Sequence, residues 1–292
     1  MTSQFKTFLL LALLSGLILF LGRIFGGANG LAIAGVLALV MNVGSYWFSD
    51  KIVLAAYKAR ELTPEESPML HKMVEELAQT AGIPKPRICI IPEEAPNAFA
   101  TGRNPENAVV AVTEGIMRIL SPEELRGVLA HELAHILNRD ILVQSVASIL
   151  ATVVMYMANM LQWAAIFGGR GRNSESGGGA FGAIAGLLLA FLAPVAASLI
   201  QFAISRSREY LADAAGARIS GTPLALASAL GKLDAFSKQI PMQSATPATE
   251  SMFIVTPLSG KGGMNSLFMT HPPIQDRITR LQQMEKTGSH NA

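Results

Sequence analysis

The chain has 292 residues, half of them apolar and only 15% charged, with a mean hydropathy of +0.38. That balance lies outside the range of ordinary soluble domains and points to membrane segments, while a net charge of +2 with both signs interspersed offers no basic face to a nucleic acid. Cys89 is the single cysteine, which excludes a disulfide within one chain, argues against a thiolate metal site and suits a reducing compartment.

Two apolar runs open the chain, Thr7 to Leu21 after a polar start holding Lys6, and about Ala28 to Phe48. A cleavable signal peptide is the alternative for the first run, but no small-x-small site leads into a soluble region and a second long run follows closely. A transmembrane hairpin is the expectation. In the soluble stretch that follows, Thr63-Pro64-Glu65-Glu66 predicts the start of a helix through Leu70, Met73, Val74 and Leu77. Beyond Gly82-Ile83-Pro84, Arg87 to Ile91 and Ala108 to Val112 read as short strands, with Asn97-Ala98-Phe99-Ala100-Thr101-Gly102 as an extended element between them. A small mixed sheet beside helices is predicted.

Ser121-Pro122-Glu123-Glu124 supplies an N-cap serine, a proline at the first helical position and a glutamate placed for a capping box. The helix it opens carries His131-Glu132-Leu133-Ala134-His135 about two turns in. A helix advances about 100° per residue, so side chains four apart share a face about 6 Å apart, within reach of one metal ion. Glu132 then stands beside the metal, where a carboxylate can take a proton from water as a carbonyl is attacked. Peptide-bond hydrolysis is the chemistry implied; the alternative is a pair of helix histidines satisfied by their neighbours.

Two further apolar runs, Ile141 to about Phe167 and about Ala180 to Ile204, are each long enough to cross a hydrocarbon core of about 30 Å, and the glycine- and serine-rich 168–179 stretch joins them. A hairpin that does not fully cross is the rival reading. Lys6, Lys51, Lys58, Arg60, Arg139, Arg206 and Arg208 collect on one side of the four runs against Arg23, Arg170 and Arg172 on the other. The bias places both termini and the motif in the cytoplasm. The last soluble part, about 205 to 292, reads as a helix through Tyr210, Leu211 and Ala214, a second near Pro223 to Phe236, a loose stretch, a helix at Pro273 to Met284 and a polar tail.

Catalytic zinc takes three protein ligands and keeps a position for water. The spacing of a third histidine in metzincins is occupied here by Asn138 and Ile141, so the ligand comes from elsewhere. Two crossings return the chain to the side it left, immediately before Arg206-Ser207-Arg208-Glu209-Tyr210-Leu211-Ala212-Asp213. Glu209 is the candidate third ligand, with Asp213 one turn on to orient a ligand histidine through its second ring nitrogen. The alternative is a solvated, salt-bridged helix face. His71 and His290 read as solvated, whereas His271, in Thr270-His271-Pro272-Pro273, stands in a proline-stiffened loop where it could donate to an oxyanion or be structural.

In the order of these features the chain resembles the HtpX branch of the membrane zinc metalloproteases, relatives of the CaaX prenyl endopeptidases. The resemblance rests on the membrane hairpin, Asn97 to Gly102, the His131 to His135 motif, the second hairpin, Ser207 to Asp213, and His271-Pro272-Pro273-Ile274-Gln275-Asp276-Arg277. It implies one Zn2+ held by His131, His135 and Glu209, Glu132 as general base, Asp213 behind a ligand, and His271 and Arg277 as contributors near the active site. Asn97, Ala98, Phe99, Ala100 and Thr101 would border the cleft, where an extended substrate can add as a strand.

The implied fold class is a mostly α membrane protein with four transmembrane helices and an α+β, gluzincin-like cytoplasmic domain carrying a small sheet. Expected boundaries are 1–48 for the first hairpin, 49–140 and 206–284 for the two parts of the catalytic domain, 141–205 for the second hairpin and 285–292 for a flexible tail. The resemblance further implies a multi-pass protease of the bacterial inner membrane, stress-induced and self-cleaving, that removes misfolded membrane proteins alongside other quality-control proteases. Rival functions are a CaaX-type or intramembrane protease, the latter disfavoured by Glu123, Glu124, Arg126, Arg139 and Asp140 around the motif, and a scaffold with a structural metal.

Overall fold

The structure, a computed structural model, describes residues 3–168, 206–240, 242, 244–246, 249, 252–255 and 271–288. Helix α1 (Ser3–Trp47) reverses at Gly27, whose backbone at φ 59 and ψ −136 is open only to glycine. Its halves, Gln4–Ile24 and Gly26–Trp47, are each long and apolar enough to cross a membrane. They pack as a hairpin, with Asn42 Nδ2 donating to Ser15 Oγ at 2.8 Å. The halves touch through glycine: a Cβ on Gly22 would lie 2.3 Å from that of Ala34.

After α2 (Ser49–Ala56) come β1 (Arg60–Glu61), α3 (Pro68–Ala81), β2 (Arg87–Ile91), β3 (Ala98–Thr101), β4 (Val109–Thr113) and α4 (Glu114–Ile119). Helix α3 starts at Pro68 rather than at Thr63, because Glu66 turns back to accept the Thr63 N–H at 2.9 Å and closes a separate turn. The strands form a sheet in the order β1-β2-β4-β3, with β2 and β4 parallel and the other pairs antiparallel. Strand β1 and helix α4 are too short to show a period in the sequence.

The sheet is covered on both faces, so β4 is buried throughout although its side chains alternate. Val110 and Val112 face a core shared with α3 and α5 (Pro122–Leu137), while Val109 and Ala111 face Tyr57, Phe99 and Phe253. Helix α5 begins with the expected capping box, Ser121 and Glu124 each accepting the other's backbone N–H. It then turns by 90° into α6 (Ile141–Gly168), whose first half is buried against α1. Helices α7 (Arg206–Ser220), α8 (Pro223–Ser237) and α9 (Ile274–Thr287) complete the described chain. The fourth apolar run, 180–204, and its connector lie outside the described residues.

Candidate active site

Helices α5 and α7 carry most of the site, and their approach depends on a glycine. Gly216 of α7 lies flat on α5: a Cβ there would stand 2.8 Å from the backbone nitrogen of His131. At that distance side chains of α5 and α7 converge. His131 Nε2 and His135 Nε2 are 3.3 Å apart, and the Glu209 carboxylate reaches them with Oε2 at 3.9 Å and Oε1 at 3.6 Å respectively. One donor atom from each of the three residues falls within 4.8 Å of the others, and all three residues are buried. Two imidazole nitrogens brought together against a carboxylate, away from water, form a nitrogen and oxygen donor set for a cation.

Neighbouring groups orient this trio. Asp213, one turn beyond Glu209, places Oδ1 2.9 Å from His131 Nδ1. Arg277 of α9 is fully buried and donates to both Asp213 oxygens, at 2.8 and 2.7 Å, and to Ile254 O at 2.9 Å. Burial alone would raise the Asp213 carboxyl, but Arg277 and His131 hold it down to about 2. His271 is brought against Glu209, Nδ1 to Oε2 at 3.2 Å. Despite burial, His271, His135 and Arg277 keep Glu209 well below the usual carboxylate range.

Asp140 emerges as a further contributor. It is buried, 3.8 Å from His135 Nδ1, and takes a hydrogen bond from Arg208 at 2.5 Å. Nothing in its spacing from the motif signals this, because it depends on the α5–α6 turn. Burial depresses the His131 imidazole. On His135 burial acts in the same direction but is outweighed by Asp140, Glu209 and Glu132, which push it up to about 9.

Glu132 is 2% exposed, and burial, reinforced by the charge of Glu209, pushes its carboxyl up to about 7. The Ala100 N–H is one of the groups that oppose that rise. Strand β3 therefore borders the site, and its outer edge is presented by Ala98 and Ala100. Part of that edge is already paired: Ile254 N–H donates to Ala98 O at 3.2 Å, and Asn97 Nδ2 donates to Val255 O at 3.0 Å. Phe99 points away into the core against Tyr57 and Phe253, and Thr101 shares a hydrogen bond with Ser145 of α6 at 2.8 Å. The cavity left at this trio is only about 10 Å³, walled in part by Gln144, Met252, Phe253 and Ile254. The apolar 252–255 stretch falls in what the sequence presents as a loose segment, and no local signal marks it as part of the site.

Comparison with known proteins agrees with this geometry. Residues 64–285 match the model of Peptidase family M48, which spans every site residue described above. The chain is similar to a protein named Protease HtpX homolog from Syntrophobacter fumaroxidans, 60% identical over 97% of this chain and 100% of the relative. A Pyrococcus furiosus protein of the same name is 52% identical over 96% of this chain and 95% of its own. Among solved structures, S. mikatae Ste24p aligns with a TM-score of 0.52 at 21% identity, covering 95% of this chain and 65% of that one, a likeness of fold. A model match across so much of the chain, with relatives aligned nearly end to end, settles its place: the chain belongs to Peptidase family M48.

Proposed function

We propose that the chain is a membrane-anchored zinc endopeptidase that cuts misfolded or damaged membrane proteins on the cytoplasmic side of a bacterial inner membrane and is able to cut itself. Family membership supports a membrane metalloprotease. The observation that carries the reading further is the convergence of His131, His135 and Glu209 within 4.8 Å, with a buried Glu132 beside them. Two imidazoles and one carboxylate fit catalytic zinc, which leaves a position for water. When bound, zinc would supply Lewis acidity, polarising the scissile carbonyl and acidifying the attacking water.

In this reading the remaining steps belong to the protein. Glu132, buried beside the trio, takes the proton as water adds to the carbonyl carbon and returns it to the departing amine when the C–N bond breaks. His271 lies at the cleft with Nδ1 on Glu209, and its other ring nitrogen, Nε2, is buried without a hydrogen-bond partner among the described residues, placed to donate to the oxyanion. Arg277 acts through Asp213 and His131 rather than on the substrate. The peptide adds along Ala98 and Ala100, so the 252–255 stretch has to leave that edge before a substrate strand can replace it.

The test is the Glu132→Gln variant of the full chain, purified in detergent with an unfolded membrane-protein reporter. Equimolar zinc retained, with hydrolysis reduced by about 10² to 10⁴, is expected. Undiminished hydrolysis would overturn the assignment of the base, and hydrolysis without bound metal would overturn the metal reading.

A further inference from the structure

Both halves of α1 end at the same side of the molecule, Gln4 opening the first span and Trp47 closing the second. Beside them, and beside the turn joining α5 to α6, lies a cavity of about 690 Å³. Its wall has two chemistries. Arg103, Asn104 and Arg139 supply polar groups, while Phe8, Leu11 and Leu142 supply an apolar surface continuous with the hairpin. The Arg103 guanidinium lies over the Trp47 ring at 4.7 Å, and Arg139 is exposed. Neither arginine makes an ion pair among the described residues, and the one carboxylate on the wall, Glu106, leaves a net positive charge.

Depth adds to this. Tyr46 and Trp47 mark the level at which a span leaves hydrocarbon for head groups. Arg139 is held at φ +56, a conformation that a side chain with a Cβ rarely adopts. Its turn is tied to the motif helix, Arg139 N–H donating to Ile136 O at 3.1 Å and Asp140 N–H to His135 O at 2.9 Å. Guanidinium groups at the rim of an apolar wall, in the plane of the head groups, match a phosphate diester with an acyl chain below it. We propose that this cavity binds an anionic phospholipid, its head group between Arg103 and Arg139 and one chain along Phe8, Leu11 and Leu142.

The experiment reconstitutes the full chain into bilayers of phosphatidylcholine with a minority of phosphatidylglycerol, re-extracts it in mild detergent and counts the co-purifying lipids by mass spectrometry. Phosphatidylglycerol should be retained in preference to phosphatidylcholine. Arg103→Gln with Arg139→Gln should lower that retention by about five-fold per guanidinium removed, while the paired Arg→Lys variant keeps most of it. Glu106→Gln, at an exposed position, should raise retention and serves as the reading if the paired glutamine variant fails to fold. Inorganic phosphate should not displace the lipid. Equal retention of the two lipids, retention indifferent to all these substitutions, or displacement by inorganic phosphate alone would each overturn the proposal.

Discussion

The Asp213 carboxyl, clasped by Arg277 and set against His131, couples the site to the stability of the fold. Its folded pKa of about 2 lies below its ordinary 3.8, so it contributes stability that is fully present above 3.8 and lost as pH falls through about 2. The contribution is about 2 kcal/mol. Asp213→Asn should remove that acid dependence, and Arg277→Leu, which strands a buried carboxylate, should cost about 3–5 kcal/mol in urea unfolding. His135 and Glu132 have the opposite sign. Their folded values of about 9 and about 7 lie above the ordinary 6.5 and 4.5, so metal-free protein is stabilised below those ordinary values and loses that stability as pH rises through the raised ones. On the proposed zinc site, an incoming metal ion displaces the His135 proton. Calorimetry of zinc binding at neutral pH in buffers of different ionisation enthalpy should therefore show about one proton released per metal.

At the level of elements, the donor geometry depends on how closely α5 and α7 approach. Gly216→Ala would set a methyl group 2.8 Å from His131 N and 2.9 Å from its Cα, backbone atoms that cannot rotate aside. A stability loss of about 1–3 kcal/mol is expected, together with weaker zinc binding, since the helices bearing the proposed ligands must part. Gly127→Ala is the comparison. Its Cβ would meet Leu226 of α8 at 2.9 Å, so it should cost similar stability while leaving zinc affinity closer to that of the wild type. Strand β3 poses a different question, because the 252–255 stretch holds the edge that a peptide would use. Helix starts were legible locally: Ser121 to Glu124 folds as its capping box prescribes, and the 87–91 strand has the predicted limits. The start of α3 was not, because a glutamate that reads as first-turn helix instead closes the turn before it.

On the scale of the whole molecule, the two described spans bring both ends of α1 to the side where the site lies, and α6 runs from the site along the hairpin. The lysine and arginine bias is the ground for proposing that this side is cytoplasmic, with the motif next to the bilayer. Cys89 is buried, and burial pushes its thiol up to about 11, so it should not react with a maleimide in the folded protein. Single cysteines can therefore report topology without removing it. In intact spheroplasts an impermeant maleimide should label Asn29→Cys, while Lys51→Cys should react only after permeabilisation. The reverse pattern would invert the orientation.

The sequence by itself determined the parts of this protein whose information is local: two apolar runs long enough to span a membrane, the cap and face of the motif helix, the strand periods, and the candidates Glu209 and Asp213 at one-turn spacing. Helix geometry alone puts His131 and His135 on one face. Only the tertiary structure decided what meets them. The clasp of Arg277 on Asp213, the approach of Asp140 to His135 and the 252–255 stretch on β3 all join residues from separate elements. No periodicity records such pairings, because they follow from the α5–α6 turn and from a glycine that lets two helices come within backbone contact.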